Sequence, residues 1–140
     1  MNEAELKEKT DIRHAAQSKF RLACLLDYRK QLEPYYSKEE ADKIIKEEEI
    51  IFQKSLAWMT PNGSGALLMK NEGSAYLYYV YVPESIRGEG YAKQMLKELE
   101  NRLKEDGVTK IQLNVYNKNT AAKNLYKGYT KVSTLMQKEL

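Results

Sequence analysis

The chain contains 140 residues, 42% of them hydrophobic and 31% charged, and it carries a net charge of +3. These values are typical of a single globular domain spanning residues 1–140, which at this length buries roughly 70% of the surface that its unfolded chain exposes. No apolar run approaches the ~18 residues of a membrane span and the charged N-terminus is unlike a signal peptide, so the sequence predicts no membrane partner.

The cysteine count and the charge distribution further restrict the cellular environment and the binding partners that the sequence predicts. Cys24 is the only cysteine, which excludes an internal disulfide and is compatible with a reducing cytoplasm. Its apolar helical surroundings predict a buried side chain without a chemical role. Charges of both signs are interspersed along the chain, which argues against a nucleic-acid ligand. The sequence therefore predicts a cytoplasmic protein with no nucleic-acid partner and no metal site.

The N-terminal third predicts one strand and two helices. The segment KTDIRHA, residues 9–15, predicts a short first strand in which Ile12 is the clearest apolar residue. Residues 15–32 carry a broad apolar sector at helical spacing, which indicates a deeply buried helix that ends before Pro34. Ser37 and Glu40 have the spacing of a capping box, so a second helix is predicted to begin there and to end near residue 55.

Three consecutive strands are predicted in the middle of the chain. The short apolar runs LAWM, residues 56–59, and GALLM, residues 65–69, are separated by a segment with the composition of a hairpin turn. A second turn at residues 71–73 leads into SAYLYYVYV, residues 74–82, which is rich in aromatic and β-branched side chains. This arrangement predicts antiparallel pairing of the three strands.

A helix, a strand, a helix and a strand are predicted to complete the chain. Apolar residues after residue 90 follow the i, i+3, i+4, i+7 rule, and Gly107 can cap the C-terminus of that helix. Residues 110–116 alternate as a strand, residues 120–127 predict a short helix, and residues 129–140 a final strand. The order β-α-α-β-β-β-α-β-α-β indicates an α/β (α+β) fold, with a mixed, largely antiparallel central sheet of about six strands and helices on both faces.

A glycine-containing hexapeptide, RGEGYA at residues 87–92, joins the third predicted sheet strand to the helix that follows. Gly88 and Gly90 let the backbone approach a ligand closely, and the free amides of the helix N-terminus favour an anion. Arg87 could neutralise a phosphate or hold the loop. An ordinary strand-to-helix turn explains the same residues. Because the spacing matches neither the P-loop nor the dinucleotide fingerprint, the loop favours another phosphate-bearing ligand.

Two motifs resemble those of the GNAT superfamily of acyl-CoA-dependent N-acyltransferases. The segment VPESIRGEGYAKQML is similar to the family signature Gln/Arg-x-x-Gly-x-Gly/Ala, with Arg87, Gly90 and Ala92 in those positions. The segment LNVYNKNTAAKNLYKGY resembles a second motif, Asn-x-x-Ala-x-x-Leu-Tyr followed by Gly-Phe/Tyr. The residues that carry it are Asn119, Ala122, Leu125, Tyr126, Gly128 and Tyr129. The resemblance covers roughly residues 55 to 140.

The resemblance implies a site for acetyl-CoA as co-substrate. The pyrophosphate would be held by main-chain amides of the hexapeptide, that is Arg87, Gly88, Glu89, Gly90, Tyr91 and Ala92. Main-chain groups of Val80 and Val82 would lie beside the pantetheine, where one amide could polarise the thioester carbonyl. Asn119, and with less support Asn114, would contact the pantetheine arm.

Tyr126 is the catalytic residue that the resemblance implies. A phenol can protonate the thiolate that leaves when an amine attacks a thioester, although the same spacing would place Tyr126 in a core beside Leu125. No residue is marked as the base; Glu84 acting through water and His14 are weak candidates. Only Lys127 separates Tyr126 from Gly128, where the family usually has about three residues.

The resulting hypothesis is an N-acetyltransferase that acts on a primary amine of a small molecule or peptide. The alternative is an acyl-CoA-binding module of the same fold with little or no turnover. The acceptor itself is not identified: Tyr28 with Glu47 and neighbouring residues could line a pocket for a cationic amine, and solvated helix faces explain them equally well. An exposed final strand could pair between subunits and form a homodimer.

Overall fold

The computed structural model describes residues 2–115 and 120–140. In chain order its elements are α1 (Glu3–Leu32), α2 (Lys38–Lys54), β1 (Leu56–Met59), β2 (Gly65–Asn71), β3 (Ser74–Tyr81), a single 3-10 turn (Glu84–Ile86), α3 (Tyr91–Glu105), β4 (Lys110–Leu113) and α4 (Thr120–Leu125). The sheet has the order β1-β2-β3-β4, with antiparallel pairing from β1 to β3 and parallel pairing of β3 with β4. The prediction of a mixed, largely antiparallel sheet is confirmed. Within the described ranges, every helix is too short or too polar to cross a membrane.

Helix α1 occupies the segment where the sequence predicted a first strand. It begins at the N-cap residue Asn2, whose side-chain oxygen accepts a 2.8 Å hydrogen bond from the amide of Glu5, and it continues without interruption to Leu32. The predicted strand at residues 9–15 is therefore wrong. Ile12 is 62% exposed, so a strand here would have no apolar face to bury, and the surrounding Glu, Lys, Ala and Leu residues favour a helix.

The capping box predicted for α2 is present. Ser37 Oγ accepts a hydrogen bond from the amide of Glu40 at 3.2 Å, and the Ser37 amide donates to Glu40 Oε1 at 3.4 Å. Two otherwise unpaired amides are satisfied in this way, which determines where the helix begins. The helix ends at Lys54, and the Ser55 hydroxyl that follows donates to the Phe52 carbonyl at 2.6 Å.

A β-bulge in β3 changes the direction of its side chains. Leu68 of β2 pairs with Leu77, but its neighbour Leu67 pairs with Tyr79, so Tyr78 is an extra residue without a partner on β2. The extra residue reverses the alternation between the two faces of the sheet. As a result Leu77 and Val80 both belong to the core on one face, whereas Tyr79 belongs to the core on the other.

Helices cover both faces of the sheet, as predicted. One core joins the sheet to α3, through the buried residues Ala66, Leu68, Ala75, Leu77, Met95, Leu96, Leu99 and Leu103. The other joins it to α1 and α2, through Phe20, Cys24, Phe52, Leu67 and Tyr79. Cys24 is buried as predicted, and its burial raises the pKa of the thiol far above its usual value, which keeps it protonated and inert.

The final predicted strand is not formed. Residues 130–140 adopt no regular structure, and Leu135 is 93% exposed. The described residues therefore form a sheet of four strands instead of about six. Alternating side chains create a tendency to form a strand, but a strand forms only when it pairs with another, and residues 130–140 pair with none of the described strands.

Candidate active site

Strands β3 and β4 diverge after four paired residues. Their parallel ladder joins residues 74–77 to residues 110–113 and then stops, whereas β3 continues to Tyr81 in contact with β2. In the described part of the chain, residues 78–81 therefore lack a strand partner on the β4 side. The bulge at Tyr78 coincides with the point of divergence. We use the word gap for this edge of β3 around Val80, which is unpaired among the described residues.

The loop between β3 and α3 begins where the gap ends. The single 3-10 turn leads into Arg87, and Gly88 and Gly90 both adopt left-handed backbone conformations, with φ of 84° and 83°. A Cβ added at either glycine would meet no other atom within 4 Å, so the loop is open on its outer side. Gly90 is the N-cap of α3 and offers no side chain to its first turn. The loop therefore leaves space beside a set of uncapped helix amides.

Six consecutive amides of this segment are unpaired within the described residues. They belong to Gly88, Glu89, Gly90, Tyr91, Ala92 and Lys93, and the first main-chain bond of the helix runs from the Gln94 amide to the Gly90 carbonyl at 3.1 Å. Such amides at the positive end of a helix dipole form a site for an anion such as a phosphate. The loop therefore has the geometry of an anion site, and its predicted contact with the pyrophosphate of acetyl-CoA stays a prediction. The amide of Arg87 differs, because it bonds back to the Glu84 carbonyl at 3.4 Å.

The side chain of Arg87 holds the loop together. Its Nε donates to the Val82 carbonyl at 2.8 Å, its Nη2 lies 2.9 Å from Asp27 Oδ1, and its guanidinium sits 5.9 Å from the centre of the Tyr81 ring. Burial acts to lower the pKa of Arg87, but the hydrogen bond and the charge of Asp27 outweigh it and the pKa is raised. Of the two roles considered for Arg87, the contacts support the one of holding the loop.

Asp27 is the residue near the site that sequence reasoning missed. It projects from α1, its side chain is 15% exposed, and its Oδ2 accepts a 2.5 Å hydrogen bond from the Tyr79 hydroxyl. Burial, followed by this bond to Asp27, raises the pKa of Tyr79 far above its ordinary value, so the phenol stays protonated and donates. The only signal in the sequence was an acidic residue inside the apolar sector of a helix.

Asn114 lies directly after β4, at the point of divergence. Its side-chain amide donates a hydrogen bond to the hydroxyl of Tyr76, and the Tyr76 ring is 5.1 Å from the ring of Tyr78. Burial, with smaller effects from Tyr78 and Glu48, raises the pKa of Tyr76. The predicted contact of Asn114 with a cofactor stays a prediction. Asn119, the other residue predicted to bind the pantetheine, lies outside the described residues.

Tyr126 follows the last residue of α4, which ends two residues earlier than predicted. Its amide donates to the Ala122 carbonyl at 3.0 Å, and its ring packs edge-on to that of Tyr129 at 5.3 Å. The ring also packs against the core on the α3 face, to which Val80 contributes. Burial, with a smaller effect of Tyr129, raises the pKa of Tyr126 far above its ordinary value. The phenol is therefore protonated at neutral pH.

Tyr28 of α1 and Tyr36 of the α1–α2 turn lie in different surroundings, and the acceptor pocket considered above stays a hypothesis. The ring of Tyr28 packs edge-on to Phe52 and Tyr79 at 6.0 and 5.7 Å. A cavity of about 380 Å³ lies at the α1–α2 turn, but its lining mixes two cationic residues with Glu33 and Tyr36. No residue of that cavity belongs to the site at the gap.

Comparison with known proteins identifies one family. The model of the family described as "Acetyltransferase (GNAT) family" matches residues 12–129, which is most of the chain. The curated Bacillus subtilis (strain 168) protein described as uncharacterized N-acetyltransferase YycN is 35% identical over 68 residues. That alignment covers 47% of this chain and only 44% of the length of YycN.

Solved structures share the fold. The crystal structure of YycN from Bacillus subtilis superimposes with a TM-score of 0.67 at 21% identity, covering 94% of both chains. A GCN5-related N-acetyltransferase from Ralstonia eutropha JMP134 gives 0.63 at 16% identity, covering 89% of this chain and 92% of the other. The PaiA N-acetyltransferase of Thermoplasma acidophilum, in complex with coenzyme A, gives 0.60 at 17% identity, covering 80% of each chain. At these identities the likeness concerns the fold alone.

Proposed function

This chain belongs to the GNAT acetyltransferase family, and we propose on that premise that it transfers the acetyl group of acetyl-CoA to a primary amine of a small molecule or peptide. The observation that carries the proposal is the run of unpaired amides from Gly88 to Ala92, at the N-terminus of α3 and next to the gap between β3 and β4. A phosphate-bearing ligand seated on the loop would have its remaining length directed toward the gap.

The loop supplies phosphate binding through its backbone. The amides of Gly88, Glu89, Gly90, Tyr91 and Ala92 donate to the pyrophosphate, and the dipole of α3 adds to the attraction. Left-handed conformations at both glycines and the empty space beside them fit a close approach of the phosphate oxygens. Arg87 contributes indirectly, because its side chain and its amide are both engaged within the protein.

The exposed edge of β3 orients the pantetheine arm and the thioester. Acetyl-CoA brings a thioester, an acyl group already activated for attack by an amine. Main-chain groups near Val80 lie beside the gap, where they are able to bond the pantetheine like a neighbouring strand and to polarise the thioester carbonyl. The carbonyl of Val82 is already bonded to Arg87, so at that residue the amide is the group offered to the ligand.

Tyr126 supplies a proton donor for the departing sulfur. The conjugate acid of a thiolate has a pKa of about 8.5, and an ordinary phenol one of about 10. Because burial raises the pKa of Tyr126 further, complete transfer of its proton becomes less favourable, and a strong hydrogen bond from Oη to the sulfur becomes the main contribution. We therefore assign Tyr126 the role of stabilising the leaving thiolate.

The acceptor amine is proposed to approach from the face covered by α1 and α2. On that face the hydroxyl of Tyr76 and the side chain of Asn114 meet at the point of divergence, and the ring of Tyr78 lies beside them. Polar groups and an aromatic surface at this position suit an amine carried on a small molecule or a peptide. No side chain of the described residues is assigned the role of base.

Titration calorimetry with CoA, followed by a screen of primary amines with detection of released thiol, tests the proposal. We expect binding of CoA, competition by acetyl-CoA and thiol release with at least one class of amine. Absence of CoA binding by the folded protein would refute the proposed function. Binding without thiol release for any amine would support the alternative, an acyl-CoA-binding module with little turnover.

A further inference from the structure

We infer that Asp27 is a positioning residue that keeps the phosphate loop in its binding shape. The inference deepens the proposed function and rests on it, because it concerns the same loop. Asp27 lies on α1, outside the two sequence motifs that identify the site, and the sequence of the loop does not indicate the role of Asp27.

The carboxylate of Asp27 joins three parts of the fold. One oxygen accepts from the Tyr79 hydroxyl of β3 at 2.5 Å, and the other lies 2.9 Å from Nη2 of Arg87 in the loop. Arg87 in turn donates from Nε to the carbonyl of Val82, at the end of β3, at 2.8 Å. The β3 end of the connection between β3 and α3, and Arg87 within that connection, are thereby tied to one point on α1.

Tyr79 determines the direction in which Asp27 presents its second oxygen. Tyr79 is buried and stays protonated, so its hydroxyl is a permanent donor to the carboxylate. The bulge at Tyr78 turns Tyr79 toward α1, and it lies directly after Leu77, the last residue of β3 that pairs with β4. The contact of Tyr79 with Asp27 and the unpaired edge of β3 therefore begin at the same place in the strand.

Asp27→Asn would leave one neutral acceptor oxygen where two donors now share a carboxylate. Arg87 would keep the Val82 carbonyl but lose its ionic partner, and the Tyr79 hydroxyl would lose a charged acceptor within a core. The loop would then be free to adopt conformations in which the amides of residues 88–92 no longer converge. The loss should fall on the phosphate end of the ligand and spare the pantetheine end.

A comparison of two ligands tests this separation. Dissociation constants of CoA and of pantetheine, which lacks the pyrophosphate, are measured by titration calorimetry for the wild type and for Asp27→Asn. We expect Asp27→Asn to raise the Kd of CoA by about tenfold and that of pantetheine by less than about twofold. Asp42→Asn is the matched control, because it removes a helix carboxylate that pairs with Arg29 at 3.0 Å, away from the loop. It should leave both constants unchanged.

Amide hydrogen exchange gives a second measurement. Asp27→Asn should accelerate exchange of the Ile86 and Arg87 amides, which bond to the Pro83 and Glu84 carbonyls at 3.0 and 3.4 Å, and leave exchange in the core of α3 unchanged. A change that merely destabilised the fold would accelerate both and would raise both dissociation constants. Should Asp27→Asn fail to fold, Tyr79→Phe takes its place; it removes one hydroxyl and should raise the Kd of CoA by about threefold.

The outcomes separate this inference from the proposed function. A wild type that does not bind CoA overturns the proposed function and, with it, the basis of the role given to Asp27. If the wild type binds CoA and Asp27→Asn binds it equally well, the inference alone is overturned. The same holds if Asp27→Asn loses affinity for CoA and for pantetheine to the same extent. A selective loss of CoA supports it.

Discussion

The side-chain amide of Asn114 donates a hydrogen bond to the hydroxyl of Tyr76 across the point where β3 and β4 separate. The last paired residues of the parallel ladder are Leu77 and Leu113, so this bond replaces main-chain pairing at the edge of the gap. The side-chain bond therefore continues the contact between the two strands beyond their last main-chain pair. After it, the main chain of β3 has no strand partner on the β4 side among the described residues.

Tyr76→Phe and Asn114→Ala each remove one partner of that bond, and we expect each to lower kcat/KM for acetyl transfer by about tenfold. The double variant should lose little more than either single one, since all three lack the same bond. Steady-state kinetics with the amine found in the screen provides the measurement. Tyr78→Phe serves as control, because among the described residues its hydroxyl bonds to the sulfur of Met69, at 3.6 Å, and to no other group. If the double variant lost as much transition-state stabilisation as the two single variants together, Tyr76 and Asn114 would not act through one shared bond.

Tyr126→Phe should lower turnover by about a hundredfold while changing the Kd of CoA less than about twofold, because a donor to the leaving sulfur matters most after binding. The matched control is Tyr129→Phe, which removes the hydroxyl of the neighbouring ring. The Tyr129 hydroxyl is buried and has no hydrogen-bond partner among the described residues, so its removal should leave turnover intact. Equal turnover of Tyr126→Phe and wild type would show that Tyr126 is a core residue only.

Gly90→Trp should raise the Kd of CoA by about fiftyfold or more, since the indole would occupy the space in front of the amides and the left-handed conformation resists a side chain. Gly107→Trp is a close control, because Gly107 has a similar φ of 86° and equally open surroundings at the other end of α3. Both variants should lose similar stability in urea unfolding, and only the first should lose CoA. Parallel losses of affinity would remove the loop from the site.

Stability should fall above about pH 10 because of the buried phenols. Burial, with a smaller effect of Glu100, raises the pKa of Tyr129 to about 12, and burial also raises the pKa of Tyr126 and of Tyr79. Since the unfolded chain releases these protons first, their contribution is complete below pH 10 and is lost as the pH rises toward the folded values. Urea unfolding between pH 7 and about 11.5 measures how the free energy of unfolding changes with pH. Tyr79→Phe should make this pH dependence weaker, and an unchanged pH dependence would contradict this assignment.

We expect the C-terminal segment to pair between two copies of the chain and to form a homodimer. Val132, Leu135 and Met136 are almost fully exposed in residues 130–140, and β1 and β4 are the edge strands of the described sheet. Sedimentation equilibrium should therefore show a dimer that Leu135→Lys converts to a monomer. Leu22→Lys changes an exposed leucine of α1 and should leave the dimer intact. A monomeric wild type would contradict the expectation.

Local features of the chain could be predicted because they depend on neighbouring residues. The capping box at Ser37, the hairpin turn before Gly65 and the left-handed glycines before α3 are each determined within a few positions of sequence. The same is true of the apolar face of α3, which follows from its helical period. Errors occurred at residues 9–15 and 129–140, where the pattern allowed a strand but a partner edge was required.

The sequence by itself determined the conformation of the glycine loop, because two glycines directly before a helix allow left-handed backbone and leave the first helix amides without a side-chain cap. Only the tertiary structure decided how that loop is held. The bulge at Tyr78, which depends on how β2 and β3 pair, turns Tyr79 toward α1, where Asp27 accepts from it and from Arg87. Arg87 lies 60 positions from Asp27, and no local pattern encodes a contact made across such a distance in the chain. The motif therefore predicted an anion site, while long-range packing engaged the side chain of Arg87 within the protein and left the amides of residues 88–92 unpaired.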